Sequence, residues 1–384
     1  MNNALPFRLP APADGGVDLL VIAAEHSGDQ HAARMVAGLL AASPNHCVAA
    51  LGGPALESAG AQLLEDLTTQ STMGFAVFGR LSFYRDLMAE VVRWVTTYQP
   101  KAVCFVDSSG LNLRIAKKLF KAGVAAKAGG PTKLLYYISP QIWASRAKRR
   151  FQMAEHLDGL ASIFPFEKDV YADTTLPVSF VGHPFVDPAY QPPVAYDPHG
   201  PILLLPGSRQ GLVKRLTPVM LAAYAQVGDD RPVVMLYPSE SIRQTIAAFS
   251  PPDRIELRAT STLTEPLGAA AVLTTSGAMA LQCALAGIPG AVTYKTDPLT
   301  YWLGRFIVKV EFIGIANLLL NRMMYPEYIQ GAATADALAA ELQRSLQDPK
   351  RVEAIEALTQ ELRHGLTAAT DATPAEWVFA QLSS

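Results

Sequence analysis

The sequence predicts an α/β protein with two Rossmann-like, doubly wound domains, and three observations carry that prediction. Short runs of consecutive aliphatic residues, typical of strands buried on both faces, alternate with segments of helical periodicity along the chain. Strands and helices in alternation pair in parallel through right-handed crossovers. A chain of 384 residues is also too long for one average domain, and a proline-rich stretch lies near its middle.

In the first half, the buried run DLLVIAA at 18–24 is followed by a polar string and then by a helical pattern. Further strands of this half are predicted at 48–51, 102–106, 134–138, 161–164 and 178–181. Ligands of such sheets bind at the carboxyl ends of the strands. Polar residues that directly follow a strand, such as Glu25 and Asp107, are therefore the first candidates for a functional site.

The second half repeats the alternation, with strands predicted at 202–205, 233–237, 255–258, 271–274 and 290–294. The domain boundaries follow from these patterns. We expect a loose N-terminal arm over 1–16, a first domain over 17–187, a proline-rich linker over 188–200, a second domain over 201–365 and a C-terminal helix within 366–384.

The charge of the chain is unevenly distributed. A net charge of −2 argues against wholesale binding of nucleic acid. Residues 108–154 nevertheless contain ten Lys and Arg and no Asp or Glu. Such a run either binds an anionic partner, a phosphate or an acidic membrane surface, or forms a basic surface that faces acidic residues elsewhere in the fold.

Cysteine usage and hydropathy indicate a cytosolic protein. Cys47, Cys104 and Cys283 lie far apart, without the spacing of a metal site or a disulfide framework. The N-terminus lacks a signal-peptide pattern. The most apolar region, 268–294, is interrupted by polar residues and Pro289. It is therefore predicted to form two buried strands around a helix, and no transmembrane segment is expected.

The string ILLLPGSRQG at 202–211 combines a buried strand, a Gly-Ser-Arg turn and the start of a helix. Gly207 lets backbone amides approach a ligand, Ser208 can donate or accept a hydrogen bond, and Arg209 can clamp a phosphate. The helix start adds partial positive charge. The pattern predicts an oxyanion cradle, and its alternative is a plain strand–helix turn with a surface arginine.

Asp107 ends a buried strand and opens the acid-free run. A carboxylate at this point can accept the proton of an attacking hydroxyl, as the general base of an inverting sugar transferase must. The alternative is that Asp107 caps the next helix. Glu25 carries the same ambiguity.

Further strings occur in a recognisable order. The most specific are YYISPQIWASRAKRR at 136–150 and ANLLLNRMMYPEYIQ at 316–330. They are accompanied by EHSGD at 25–29, Met73-Gly74, FPFEK at 164–168, LLPGSR at 204–209 and TSGAMAL at 275–281. From about Asp18 onward, nearly the whole chain resembles the lipid-A-disaccharide synthase family.

The resemblance implies a GT-B glycosyltransferase that acts with inversion. Its substrates would be UDP-2,3-diacylglucosamine and 2,3-diacylglucosamine 1-phosphate (lipid X), and its products UDP and a β-1,6-linked disaccharide 1-phosphate for lipid A and lipopolysaccharide. It implies no metal or other cofactor, and a peripheral location on the cytosolic face of the inner membrane. The oligomeric state, a homodimer included, stays open.

The resemblance also assigns roles to residues. Asp107 matches the candidate base. The donor side would be formed by Gly207, Ser208, Arg209, Ser276, Gly277, Gln282, Asn317 and Arg322. The acceptor and lipid side would be formed by Glu25, Ser27, Gly28, Met73, Trp143, Arg146, Arg149 and Arg150. In GT-B enzymes the last helix usually returns to the first domain, which implies the same for 376–382. Docking to the bilayer would use the basic run and apolar groups near Phe75, Phe78 and Phe83. The alternative is that these phenylalanines are part of the hydrophobic core.

Four acidic residues of the family pattern are absent from this chain. The second acid after Asp107 is missing from DSSGLN at 107–112, and Leu212 stands where the family has Glu. Gln282 also replaces a Glu, although it can still bond a ribose hydroxyl. The segment after Gly74 is one residue shorter and lacks its Glu. These differences keep two alternatives open: a paralogue that uses another UDP-sugar, such as UDP-N-acetylglucosamine, and a non-catalytic paralogue that binds lipid.

Overall fold

The computed structural model of the chain describes residues 7–13, 15–68, 77–297, 311–368 and 370–383, and of residues 77–81 only the backbone. The chain forms two compact units. Unit 1 comprises Met1–Pro184 and Ala369–Ser384, and unit 2 comprises Phe185–Ala368.

Unit 1 contains a seven-stranded sheet in which every described pair of neighbours is parallel. Its strands are β1 (Leu19–Ile22), β2 (Val48–Gly52), β3 (Gln62–Asp66), β4 (Ala102–Val106), β5 (Lys133–Tyr137), β6 (Gly159–Ser162) and β7 (Val178–Phe180). Their order in the sheet is β3-β2-β1-β4-β5-β6-β7. The order reverses between β1 and β4, and the ends of these two strands are where a doubly wound sheet binds ligands.

Helices cover both faces of this sheet. They are α1 (His26–Ala42), α2 (Pro54–Ser58), α3 (Val77–Tyr98), α4 (Ser109–Lys121), α5 (Ile142–Ser145), α6 (Arg149–His156), α7 (Glu167–Val170) and the C-terminal α14 (Pro374–Ser383). The side chains of β1 alternate between two cores. Leu20 and Ile22 belong to one cluster, and Leu19 and Val21 to the other. Burial on both faces explains the unbroken aliphatic run.

Unit 2 is built in the same way around a six-stranded parallel sheet. Its strands are β9 (Ile202–Leu205), β10 (Val233–Tyr237), β11 (Ile255–Ala259), β13 (Ala271–Thr274), β14 (Gly290–Tyr294) and β15 (Glu327–Ile329), in the order β11-β10-β9-β13-β14-β15. Its helices are α8 (Gln210–Val227), α9 (Glu240–Ala247), α10 (Ala278–Leu285), α11 (Ile315–Leu320), α12 (Ala335–Gln347) and α13 (Pro349–Thr367). The reversal point lies between β9 and β13.

The predicted fold class is confirmed, and five strands have their predicted ends: 102–106, 202–205, 233–237, 271–274 and 290–294. The apolar region at 268–294 forms strands around α10, as predicted. Within the residues that the structure describes, no helix combines the length and the hydropathy needed to cross a bilayer. Four strands were not predicted: β3, β15, β8 (Val194–Tyr196) and β12 (Leu267–Ala269). They lie at sheet edges or in a two-stranded sheet, and their mixed burial leaves no continuous aliphatic run.

The predicted arm and linker are more ordered than their composition suggests. At the N-terminus, Leu9 is buried, its backbone N–H donates to Glu90 at 2.9 Å, and the Trp94 indole donates to Pro10 at 2.8 Å. The described residues 7–13 are therefore fixed on unit 1, which differs from a loose arm. Within the proline-rich stretch, β8 pairs with β12 in a parallel ladder. At the other terminus, α14 packs in the core that contains β1, through Trp377, Val378 and Leu382.

Candidate active site

Asp107 occupies the first position after β4, next to the reversal point of the sheet in unit 1. Its backbone is in the left-handed region with φ 49°, and the following Ser108 has φ 43°. Consecutive left-handed residues that are not glycine are strained, and such strain persists only where neighbouring groups hold it. It concentrates at functional sites.

Three neighbours hold the Asp107 backbone. Its N–H donates to the Tyr137 carbonyl at 3.1 Å, and its own carbonyl accepts from the Asn112 side chain at 2.9 Å and from the Tyr136 hydroxyl. Asn112 also donates to the Val106 carbonyl at 3.1 Å. Asn112 is fully buried one turn into α4, and Tyr136 lies in the adjacent β5. The carboxyl group is thus aimed by a hydrogen-bonded turn.

The side chain of Asp107 does not cap α4. The residue at the cap position is Ser108, whose side chain makes no capping hydrogen bond, and the Asp107 carboxyl accepts from the backbone N–H of Ser108 itself. Burial raises the pKa of the Asp107 carboxyl above its usual value, and the negative charge of Glu25 raises it further. A carboxylate with a raised pKa is a stronger base. The cap alternative is therefore not supported, and the geometry suits a proton acceptor.

The start of α1 faces the same turn. A Cβ placed on Gly28 would lie 3.8 Å from the Asp107 Cβ and 3.6 Å from the Val106 carbonyl oxygen, which is ordinary contact. Glu25 occupies the cap position of α1 without a side-chain capping bond, and Ser27 is exposed in the first turn. The predicted acceptor residues Glu25, Ser27 and Gly28 thus lie at the helix start that borders Asp107.

The basic string after β5 divides into residues with and without acidic partners. Arg150 forms a two-pronged ion pair with Asp173, with both N–O distances at 2.6 Å, and lies over the ring of Phe151. Its guanidinium is therefore paired with a carboxylate of the protein, whereas the predicted role in lipid binding requires a cation that is free to pair with the lipid. Burial lowers the pKa of Arg149, and the nearby charges of Arg146 and Arg114 lower it further.

Trp143 belongs to a cluster of packed aromatic rings in unit 1. Its ring meets Phe166 edge-on at 5.3 Å, Phe166 stacks on Phe164 at 5.7 Å, and Phe164 contacts the His183 ring at 5.1 Å. Glu167 is 1% exposed beside these rings and accepts a hydrogen bond from the Phe164 backbone N–H at 3.2 Å. Burial raises the pKa of Glu167 to about 8, although Phe164 and Trp143 donors act against the rise.

The raised pKa of Glu167 predicts a pH-dependent stability. The unfolded chain loses the Glu167 proton near its ordinary pKa, whereas the folded chain keeps it up to about pH 8. The stability that the folded chain gains by keeping this proton is fully present below pH 4.5. The free energy of unfolding then falls as the pH rises to about 8, by up to about 1.4 kcal/mol per pH unit. Glu167→Gln should therefore flatten the decline in urea midpoint between pH 5 and pH 8. An identical decline in both proteins would refute the assignment.

In unit 2, the Gly-Ser-Arg turn connects β9 to α8. Gly207 has φ 106°, a backbone conformation that favours glycine, and a Cβ there would lie 3.2 Å from the Thr275 hydroxyl oxygen, which would have to shift slightly. Arg209 is exposed at the cap position of α8, whose first turn carries no acid. The first N–H groups of a helix lack acceptors within the helix and attract anions.

A second helix start lies on the neighbouring strand. β13 pairs with β9, with Thr274 opposite Leu205, and is followed by Thr275, Ser276 and the cap residue Gly277 of α10. The turns after β9 and β13 are therefore adjacent, and the Thr275 hydroxyl oxygen lies 3.2 Å from where a Cβ of Gly207 would be. One turn into α10, the side-chain oxygen of Gln282 is buried and accepts no hydrogen bond from any residue that the structure describes.

The side chains of Asn317 and Arg322 have partners within the protein, whereas the resemblance assigns both residues to the UDP-sugar site. The side chain of Asn317 is fully buried and donates to the Tyr325 carbonyl at 2.7 Å and to Glu327 at 2.8 Å. Its oxygen accepts from the N–H groups of Met324 and Tyr325 at 2.8 and 2.9 Å. Arg322 forms an exposed ion pair with Glu361. Asn317 thus shapes the loop between α11 and β15, which corrects its expected role as a direct ligand contact.

We expect Asn317→Ala to lower stability rather than nucleotide affinity. The substitution leaves two buried N–H groups without their acceptor, and each such group costs about 1–3 kcal/mol. Urea unfolding should show a loss of at least about 2 kcal/mol, while UDP binding per folded molecule stays close to that of the parent protein. A parent-like unfolding midpoint with lost UDP affinity would instead restore the direct role.

Some predicted residues lie outside the described parts of the chain. Met73 and Phe75 fall between 68 and 77, and the side chain of Phe78 is not described. Phe83 packs with Phe7 at 5.9 Å against the core of unit 1, so its place is the core alternative. In the described ranges, no group of three His, Cys, Asp or Glu side chains is placed to hold a metal ion.

Sequence reasoning missed the residues that position Asp107 and the turn of unit 2. Asn112 and Tyr136 hold the Asp107 backbone, and Thr275 lies beside Gly207. Asn112 ends the DSSGLN string at 107–112, but nothing in that string indicates that its amide holds the Asp107 backbone. The contacts of Tyr136 and Thr275 depend on strand order, which a single sequence does not reveal.

Comparisons with known proteins identify the family of the chain. The lipid-A-disaccharide synthetase family model matches residues 19–377. Lipid-A-disaccharide synthase 1 of Legionella pneumophila is 33% identical over 383 residues, covering 95% of this chain and 97% of that protein. The lipid-A-disaccharide synthase of Geobacter metallireducens is 33% identical over 350 residues, with 87% and 89% covered.

Solved structures resemble the fold at low sequence identity. The UDP-GlcNAc 2-epimerase of Neisseria meningitidis has a TM-score of 0.60 at 11% identity, covering 96% of this chain and all of that chain. The calicheamicin glycosyltransferase CalG4 has a TM-score of 0.54 at 14% identity, with 96% and 98% covered. These likenesses establish the GT-B fold alone. By the match of its family model and its relatives, the chain belongs to the lipid-A-disaccharide synthase family and is a glycosyltransferase of lipid A biosynthesis.

Proposed function

We propose that this chain transfers 2,3-diacylglucosamine from its UDP carrier to the 6-hydroxyl of lipid X, with inversion at the anomeric carbon. The observation that carries this proposal is the Asp107 turn. A half-buried carboxyl with a raised pKa stands at the position of the family's candidate base, on a strained backbone held by Tyr136 and Asn112. An attacking hydroxyl needs such a proton acceptor.

Unit 1 would supply the base. The acceptor oxygen attacks the anomeric carbon while the Asp107 carboxylate takes the hydroxyl proton, so that the new C–O bond forms as the proton leaves. The buried hydroxyl of Ser108 has no hydrogen-bond partner among the described residues and is free to orient the acceptor. The nearby charge of Glu25 keeps the affinity of Asp107 for the proton high.

Unit 2 would stabilise the leaving group. The bond between the anomeric carbon and the β-phosphate oxygen breaks, and its electron pair leaves with UDP. Arg209, the Gly207 turn and the start of α8 offer positive charge to that diphosphate. The unpartnered side-chain oxygen of Gln282 would accept a hydrogen bond from a ribose hydroxyl, in place of the Glu that the family usually has at this position.

We further propose a peripheral location on the cytosolic face of the inner membrane. Lys117, Lys118 and Lys121 are exposed on α4, and no ion pair to them is found within the described residues. Phe151 is 49% exposed on the neighbouring α6. Positive charge beside an exposed aromatic ring favours an anionic lipid surface.

Product analysis by mass spectrometry tests the assignment of substrates. The purified protein, UDP-2,3-diacylglucosamine and lipid X should yield the tetra-acylated disaccharide 1-phosphate and one UDP per disaccharide. A parallel reaction with UDP-N-acetylglucosamine should release no UDP. UDP release from the unacylated donor alone would instead support the paralogue that uses another UDP-sugar.

A thermal-shift titration tests the non-catalytic alternative. A ligand that binds the folded state raises the melting temperature as its concentration exceeds Kd. UDP should stabilise this protein without any lipid present. Stabilisation by lipid X alone, with no response to UDP, would identify a lipid-binding paralogue.

A further inference from the structure

The carboxyl group of Asp29, in the first turn of α1, is fully buried and bonded to a different part of unit 1. It accepts hydrogen bonds from the backbone N–H groups of Gly53 at 2.8 Å, Ala55 at 3.0 Å and Leu56 at 3.2 Å. These groups belong to the turn after β2 and to the first turn of α2. Asp29 therefore ties the start of α1 to the turn that follows the neighbouring strand.

The turn after β2 is shaped to receive this carboxyl group. The cap residue of α2 is Gly53, which has no side chain, so the first N–H groups of α2 need an acceptor from elsewhere in the fold. A Cβ on Gly53 would lie 2.7 Å from Asp29 Oδ2 and 2.7 Å from Thr68 Cγ2, closer than packed atoms approach each other. Asp29 and Gly53 thus fit together only while the glycine has no side chain.

The first turn of α1 also borders Asp107. This helix follows β1, which lies between β2 and β4 in the sheet. The Asp29 backbone N–H donates to the Glu25 carbonyl at 2.9 Å. A Cβ on the preceding residue, Gly28, would lie 3.8 Å from the Asp107 Cβ and 3.6 Å from the Val106 carbonyl oxygen. The space between the helix start and Asp107 is therefore about that of one methyl group.

The start of α1 is thus fixed from the side of β2 and faces the base on the side of β4. Because protein interiors are close-packed, a shift of this helix start changes the space in which the Asp107 carboxyl group lies. Displacing a catalytic group by about 1 Å can lower a rate by about 100-fold. The bonds of Asp29 are therefore in a position to affect the reaction without any contact to a substrate.

We propose that Asp29 is a positioning residue of the transfer reaction, which sets the place of the Asp107 carboxyl group by fixing the start of α1 to the turn after β2. The inference rests on the proposed function, in which Asp107 is the base. It gives a role to the last residue of the EHSGD string at 25–29, which the proposed function leaves without one.

Variants on the two sides of this contact test the proposal. Asp29→Asn turns an NH2 group toward a backbone N–H group, and it should lower kcat per folded molecule by about 10-fold or more while both KM values stay within about twofold. Gly53→Ala places a methyl group 2.7 Å from Asp29 Oδ2 and should have the same effect. The double variant should be no slower than the slower single variant, because both substitutions disturb one contact.

Asp18→Asn is the matched control. Asp18 precedes β1 and accepts a hydrogen bond from the backbone N–H of Cys47 at 2.9 Å, so it ties the two strands together at their opposite ends. It also forms an ion pair with Lys101 at 2.9 Å. Its substitution should lower the urea midpoint and leave kcat per folded molecule at the parent value.

Hydrogen exchange followed by mass spectrometry tests the placement without any turnover. Asp29→Asn should speed exchange in the peptides that contain residues 25–32 and 107–112, whereas Asp18→Asn should leave both at the parent rates. A parent-like kcat in Asp29→Asn would overturn the proposal. So would an equal loss of kcat in Asp18→Asn, which would reduce the effect to one on folding.

Failure of the proposed function gives a different result. A parent protein that transfers no sugar to lipid X refutes that function, and exchange at 107–112 then decides whether Asp29 positions Asp107. Faster exchange there in Asp29→Asn, and not in Asp18→Asn, would support the positioning role. Parent rates at 107–112 in Asp29→Asn would overturn it.

Discussion

The substitution Asp107→Asn should lower kcat by about 10²–10⁴-fold, the range that a positioned general base contributes. Asparagine keeps the size of the side chain but cannot accept the proton of the attacking hydroxyl. The strained turn is held through backbone atoms by Tyr136, Asn112 and Tyr137, so it should survive the substitution. The KM values and the stabilisation by UDP should remain within about twofold of the parent protein.

The pH dependence of the parent enzyme supplies a second test of Asp107. A base must be deprotonated to act, so kcat/KM should rise with pH through the pKa of Asp107 in the free enzyme. Burial and Glu25 raise that pKa above the ordinary value of 3.8. Glu25→Gln removes the charge that opposes ionisation and should move the acidic limb to lower pH. A profile that does not shift would remove Glu25 from the electrostatics of the site, and full activity in Asp107→Asn would exclude Asp107 as the base.

The second large effect is expected at Arg209, where Arg209→Ala should weaken UDP binding by about 10- to 150-fold. This range corresponds to the roughly 1.5–3 kcal/mol of a charged hydrogen bond. Isothermal titration with UDP measures it directly. Lys214→Ala is the matched control, because Lys214 is exposed one turn further along α8 and carries the same charge.

Two companion variants show whether charge or shape dominates the turn. Arg209→Lys keeps the charge but loses the planar fork, and we expect it to recover only part of the affinity. Gly207→Ala forces a side chain into a left-handed backbone 3.2 Å from Thr275, and should also weaken UDP binding. Unchanged UDP affinity in Arg209→Ala would show that the diphosphate binds elsewhere.

The sequence was sufficient for the parts of the fold that depend on local pattern. The aliphatic runs of β4 and β9 predicted strands with correct ends, because both faces of those strands are buried. Edge strands such as β3 mix polar and apolar residues, and pattern alone could not distinguish them from loops. The order of strands, which brings the turns after β9 and β13 together, depends on long-range pairing.

The residues of the site show the same difference between local pattern and long-range packing. Asp107 and Gly207 were predicted because each follows a buried strand, where ligands of such sheets bind. The engagement of Arg150 by Asp173, and of Asn317 by Met324 and Tyr325, could not be predicted, since those partners are set by tertiary packing. Leu212 illustrates a replaced acid. Its side chain lies 3.3 Å from the Cβ position of Gly207, so it packs against the turn that the family's Glu would border.

The anomeric configuration of the product is the most direct test of a single displacement assisted by Asp107. Proton NMR of the disaccharide formed from an α-linked UDP-sugar reports the configuration through the coupling between the protons on C1 and C2. We predict a β-linked product from the first turnovers onward, with UDP released in equal amount. An α-linked product would require two displacements and a nucleophile on the protein, and would contradict the role of Asp107 as a base.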